Sequence, residues 1–187
     1  MTEPMSRRRA LGLTAAAGAA ALLAAGTAAA APTAAARPTR PAARRAPVLD
    51  GVYGISRPEE ELLTLLEPRD SVVVLQPGGQ PGDQEWQART LPNGNVTLRN
   101  LRWNTYAGYE GDPRRGRFVV GTDRPVEWSL RQSAERYTFH VVVPGGPVDG
   151  AELAIDLSPL LIFPPRTALE TLRPHDVRQA WRFHFHE

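Results

Sequence analysis

Gln84-Glu85-Trp86-Gln87-Ala88-Arg89, Val126-Glu127-Trp128-Ser129-Leu130-Arg131 and Gln179-Ala180-Trp181-Arg182-Phe183-His184 are three versions of one segment, and their tryptophans lie 42 and 53 residues apart. Self-similarity at such a period marks a repeated supersecondary unit. Upstream of each tryptophan lies a short apolar run: Val72-Val73-Val74-Leu75, Phe118-Val119-Val120 and Leu160-Leu161-Ile162-Phe163. After the first two, a strand-like run opens the next unit, Val96-Thr97-Leu98 and then Tyr137-Thr138-Phe139, matching Val52-Tyr53-Gly54-Ile55 at the start.

From Val48 onward the chain reads as β-branched and aromatic runs broken by Gly, Pro, Asn and Asp, which is the pattern of strands and turns. The predicted strands are 52–56, 62–66, 71–75, 85–89, 95–101, 106–109, 117–120, 126–131, 137–143, 153–157, 160–163 and 180–185. Residues 57–66 also allow a turn of helix, but Leu62-Leu63-Thr64-Leu65-Leu66 fits a buried strand equally well. Twelve strands in three units of four predict an all-β domain, a β-trefoil whose repeats close a six-stranded barrel with a hairpin cap. A barrel closed by three hairpins leaves three equivalent gaps for a large indole, so Trp86, Trp128 and Trp181 are expected in the core.

The first 47 residues are mostly Ala, Pro and Arg, too poor in large apolar residues to offset the entropy of ordering. Ser6-Arg7-Arg8-Arg9-Ala10-Leu11, the weakly apolar stretch 13–25 and Ala28-Ala29-Ala30 together read as a twin-arginine signal peptide over residues 1–30, cleaved after Ala30. Residues 31–47 are expected to be a disordered Ala/Pro/Arg-rich tether, and 48–187 the trefoil domain of a secreted protein, free of the membrane once the signal is removed. All 22 basic residues are Arg; seven precede Asp50 against a single acid, so the remainder carries 15 Arg against 19 acids, a net charge of about −4. That balance argues against nucleic acid as a partner. The chain has no Cys, so packing alone must stabilise the domain.

Chemistry-bearing constellations are sparse. His140, Asp156 and Ser158 supply the residue types of a hydrolytic triad, but Ser158 precedes Pro159 and no G-x-S-x-G elbow is present. His184 and His186 share one side of a terminal strand without a third ligand nearby in sequence. The expectation is therefore a non-enzyme with no metal and no cofactor. A sugar-binding trefoil needs an acid beside an aromatic platform. Tyr106, Tyr109 and Glu110 provide one such set, with no equivalent in the other repeats.

The segments Asp50-Gly51-Val52-Tyr53-Gly54-Ile55, Val72-Val73-Val74-Leu75, Gln84-Glu85-Trp86, Gly94-Asn95-Val96-Thr97-Leu98-Arg99-Asn100, Tyr106-Ala107-Gly108-Tyr109-Glu110 and Gln179-Ala180-Trp181 resemble the fungal β-trefoil serine protease inhibitors of the cospin type. The resemblance implies a monomer that blocks a trypsin-like serine protease by presenting one rigid loop in substrate-like form. Carried over, that loop is Glu67-Pro68-Arg69-Asp70-Ser71, with Pro68, Arg69 and Asp70 as the protease-binding residues and Arg69 suited to an acidic specificity pocket. Leu101-Arg102-Trp103 and Arg114-Arg115 are rival loops. The alternative function is that of a carbohydrate-binding trefoil.

Overall fold

Tyr53 and Ile55 in β1 (Gly51–Ser56), Trp86 and Ala88 in β4 (Glu85–Thr90) and Val96 and Leu98 in β5 (Val96–Asn100) are buried, and their alternation sets which face of each strand turns inward. The computed structural model describes residues 48 and 50–186; the expected signal peptide, cleavage point and tether fall outside the described residues. The remaining strands are β2 (Leu62–Thr64), β3 (Val73–Leu75), β6 (Tyr106–Gly108), β7 (Val120–Thr122), β8 (Ser129–Gln132), β9 (Thr138–Val142), β10 (Leu153–Leu157), β11 (Thr167–Thr171) and β12 (Trp181–His186).

Antiparallel pairing runs β1 with β4, β4 with β5, β8 with β9, β9 with β12 and β12 back to β1. A bridge from Val96 to Trp128 joins β5 to the segment entering β8 and closes the ring at six strands. The hairpins β2–β3, β6–β7 and β10–β11 are linked to one another by the bridges Ser71 with Val120, Val73 with Arg166 and Phe118 with Ala168. They form the cap. Inside lie Trp86, Trp128, Trp181, Phe139 and Ile155, all buried, and Phe183 sits between Tyr53 and Phe139 in edge-to-face contacts with centroids 5.7 and 5.6 Å away. Turn chemistry follows the sequence: between β4 and β5, Gly94 takes φ +86° and donates to Leu91 O at 2.9 Å, a conformation that favours glycine.

The ring and cap match the twelve-strand, three-unit expectation, and residues 62–64 are strand, not helix. Two expected strands are corrected. Residues 117–119 do not pair along β6; Gly116 N and Val119 N instead donate across the cap to Leu169 O and Thr167 O, and β7 begins only at Val120, which pairs with Gly108. Leu160–Phe163 is no strand at all but an exposed loop, with Leu161 105% and Phe163 88% accessible, and the strand of that repeat is Thr167–Thr171. Pro159, Pro164 and Pro165 flank the apolar run and bring no N–H to a ladder. Thr167–Thr171 carries no comparable apolar run, yet its first four residues are buried, Thr167 Oγ1 donating to Val72 O at 2.8 Å.

Candidate functional site

Each core indole donates its Nε1 hydrogen to a backbone carbonyl of the second strand of its own repeat: Trp86 to Leu63 at 2.9 Å, Trp128 to Ala107 at 2.9 Å and Trp181 to Ile155 at 3.0 Å. These bonds put the repeats in register. The residues following the carbonyls, Thr64, Gly108 and Asp156, are therefore equivalent positions, as are Gln84, Val126 and Gln179 two residues before each tryptophan.

The three positions are filled differently. In the first repeat Gln84 Nε2 donates to Thr64 Oγ1 at 3.1 Å and to Gln76 O at 3.0 Å, while its Oε1 accepts from Gly78 N, tying down the loop 76–84. In the third, Gln179 Nε2 donates to Asp156 Oδ2 at 3.2 Å and to Thr171 O at 3.0 Å. Arg173 Nη2 donates to the same Asp156 oxygen at 2.8 Å, and Leu157 N occupies Oδ1 at 2.7 Å. That nearly buried carboxylate is already engaged on both oxygens. In the second repeat glycine and valine replace the polar pair, and a Cβ on Gly108 would come within 2.6 Å of Val126 Cγ2 and 2.7 Å of Thr122 Oγ1. The connecting segment is also shorter, 123–128 against 76–84 and 172–180.

Beside that apolar packing the chain leaves β6 as Tyr109-Glu110 and opens a pocket of about 580 Å³, bounded by Gly121–Val126 and Arg69. Tyr109 is partly buried with its ring edge-to-face against Trp128, centroids 5.7 Å apart. Burial pushes its hydroxyl above the ordinary value, so it stays a neutral donor. Glu110 is exposed at the rim. Opposite, Thr122 Oγ1 lies 2.9 Å from Arg124 O and 3.1 Å from Tyr106 O, holding the loop's turn, and the Arg124 side chain has no ion pair among the described residues. An aromatic ring next to a carboxylate and guanidinium donors can stack on one face of a small polar molecule and hydrogen-bond its hydroxyls.

The structure joins Tyr109 and Glu110 but sends Tyr106 elsewhere, to a separate pocket of about 430 Å³ with Asp50, Gln87 and Arg99. Of the residues read as a protease-binding loop, Arg69 forms an ion pair with Asp123, both side chains exposed, and walls the pocket. Asp70 N donates to Glu67 O at 3.3 Å and Asp70 Oδ1 accepts from Ser71 N at 2.6 Å, making this loop a closed turn. Pro68 O lies so near β7 that a Cβ on Gly121 would fall 2.1 Å from it. Among the rival loops, Arg102 donates to both oxygens of Asp83 at 2.8 and 3.0 Å, Arg115 pairs with Glu170 at 2.9 Å, and Arg114 has no ion pair among the described residues. No hydrogen bond joins His140, Asp156 and Ser158: His140 Nε2 meets Pro174 O at 3.2 Å, and Ser158 Oγ accepts from Leu160 N. Among the described residues no group of three His, Asp or Glu side chains is placed to hold a metal, and no helix is long and apolar enough to cross a membrane. Sequence reasoning missed Thr122–Val126 and Arg69 as walls of the Tyr109 pocket; Val126 in place of the glutamine of the other two repeats was the visible signal.

No family model matches the chain, and no curated protein does. Solved structures do. A ricin B-like lectin of Macrolepiota procera, in complex with lactose, superposes with TM-score 0.62 at 22% identity over 74% of this chain and 99% of its own. The fold is a β-trefoil. The agglutinin of Rhizoctonia solani follows at TM-score 0.61 and 17% identity over 74% of this chain and 97% of that one. A designed three-fold symmetric protein, ThreeFoil, gives 0.60 at 15% identity over 72% and 99%. At these identities the likeness is one of fold. The cospin resemblance rests largely on segments that are trefoil framework: Trp86, Trp181, Val72 and Val74 are core, so what it supports is the trefoil, not the inhibitor family.

Proposed function

We propose that this trefoil is a carbohydrate-binding module that works by binding alone, as a secreted monomer, at the second-repeat pocket. The observation that carries the reading is the meeting of Tyr109 and Glu110 at the mouth of a pocket of about 580 Å³. Tyr109 offers the apolar face of a pyranose a ring edge-packed on Trp128 and so fixed in place, while Glu110 is the acceptor for vicinal hydroxyls. Support comes also from the neighbours: two of the three named above are lectins or agglutinins, one of them bound to lactose. In this reading Arg69 serves as a pocket wall.

Glycan-array binding followed by calorimetry, on wild type beside Tyr109→Ala and Glu110→Gln, tests it. A charge-assisted hydrogen bond contributes about 1.5–3 kcal/mol, so Glu110→Gln should weaken the best glycan roughly 10- to 100-fold. The same protein is titrated against trypsin. An empty array together with stoichiometric trypsin inhibition that vanishes in Arg69→Ala would overturn the proposal in favour of the inhibitor.

A further inference from the structure

A second cavity of about 560 Å³, lined by Arg114, Arg115, Arg117, Phe118 and Val120, shares Glu110 with the Tyr109 pocket. Resting on the carbohydrate reading, we propose that the two cavities form one groove for an acidic saccharide, whose sugar ring sits at Tyr109 and whose carboxylate or sulfate sits among Arg114, Arg115 and Arg117.

Residues 50–187 hold 15 Arg against 19 acids, yet the groove lining holds five Arg, namely Arg69, Arg114, Arg115, Arg117 and Arg124, against Glu110 and Asp123. Asp123 is used by Arg69, and Arg115 reaches Glu170 beyond the lining. Arg114 and Arg124 have no carboxylate partner among the described residues, and Arg117 has only a carbonyl, Glu110 O, 2.5 Å from its Nη1. Arg117 Nε is buried without any hydrogen-bond partner; a buried donor left unpaired is costly. Arg166 lies over the Phe118 ring at 5.5 Å, adding a further cation beside the cavity. Planar guanidinium groups suit carboxylate and sulfate oxygens, which accept paired N–H bonds. Three guanidinium groups, Arg114, Arg117 and Arg124, left without carboxylates among the described residues of an acidic domain make a site that lacks its counter-charge.

Calorimetry on the full chain compares tetragalacturonic acid and sulfated galactotetraose with neutral galactotetraose. At least one anionic ligand should bind about 10-fold or more tightly than the neutral one at low salt, the gap narrowing as ionic strength rises. Arg114→Glu should close that gap while leaving neutral binding in place, Tyr109→Ala should weaken both, and Arg89→Glu, an equal charge change at the exposed position of β4, should match wild type. Preference for one anion over the other assigns carboxylate or sulfate. Equal affinity for neutral and anionic ligands, or a gap indifferent to Arg114→Glu, overturns the inference while the carbohydrate reading stands; no saccharide binding at all overturns both.

Discussion

Replacing each core tryptophan in turn by phenylalanine probes the three-fold frame on which the site assignment depends. Trp86, Trp128 and Trp181 are all essentially buried, and each makes the same indole bond at 2.9 to 3.0 Å. Phenylalanine removes the N–H and leaves a carbonyl in the core without that donor, a loss of about 1–3 kcal/mol. The smaller ring also forfeits part of the buried area and leaves a void, roughly another 1–2 kcal/mol. Each substitution should therefore cost about 2–5 kcal/mol, and because the three environments repeat, the three costs should agree within about 1 kcal/mol, the ordinary spread of context. Urea unfolding followed by far-UV circular dichroism reads this directly, since the midpoint should fall at constant slope, and the probe does not depend on the indole removed. A variant that loses less than about 1 kcal/mol would show that its indole bond is not part of the frame, and the equivalence of Thr64, Gly108 and Asp156 would fall with it.

Gly121→Ala should destabilise the domain by about 1–3 kcal/mol and release the Glu67–Asp70 turn, because the new Cβ meets the backbone carbonyl of Pro68 and not a movable side chain; an unchanged urea midpoint would refute the contact. Acid should weaken the fold in two stages. Burial first, then Arg182 and His186, holds the His184 imidazole below its ordinary value, so the unfolded chain takes up the proton more readily and stability declines as pH falls below about 6.5. The carboxyls of Glu127, Glu152 and Asp176 lie below theirs because of hydrogen bonds from Asn95 and Asn93, from Arg131, and from Arg173 and Arg178 respectively. Their contribution is present above about pH 4 and lost as pH falls through the lowered folded values. Thermal melts from pH 8 to 3 should show both stages and lose the upper one in His184→Gln; a flat profile from pH 7 to 5 in wild type would refute the first.

The barrel was legible because a tryptophan in a repeated context is rare and has one place to go in a closed barrel, and because Asn93-Gly94 and Gly145-Gly146 mark turns by chemistry alone. The third repeat misled for a physical reason. Leu160–Phe163 has the composition of a core strand but is fenced by prolines, whereas Thr167–Thr171 is tied into the cap by bonds to residues far away in sequence, Thr167 N and Oγ1 to Val72 O and Leu169 N to Arg117 O. The site was half legible. Tyr109 and Glu110 are neighbours in the chain, so their chemistry could be seen together, and Tyr106 was drawn in by proximity although it lies in β6, on the pocket with Asp50, Gln87 and Arg99, while Tyr109 lies beyond the strand. The opposing wall comes from the 121–126 segment and from Arg69, whose partner Asp123 lies 54 residues away. No spacing rule reports such a pairing, and it is why Arg69 reads as a protruding contact in sequence and as a pocket wall in space.

The loop at Leu160–Phe163 bears on how this protein should be handled. It is held at its base by Ser158 N to Arg166 O at 2.8 Å and by Val74 N to Pro165 O at 3.0 Å, so its apolar tip stays outside while the barrel is intact. A fluorescent dye such as ANS, whose binding usually signals a loosened, molten interior, will find an apolar landing place on the fully native molecule. Dye fluorescence is therefore a property of the tip and not a measure of how well the core is packed, and the same tip, more than the barrel, will decide how the domain behaves on hydrophobic chromatography.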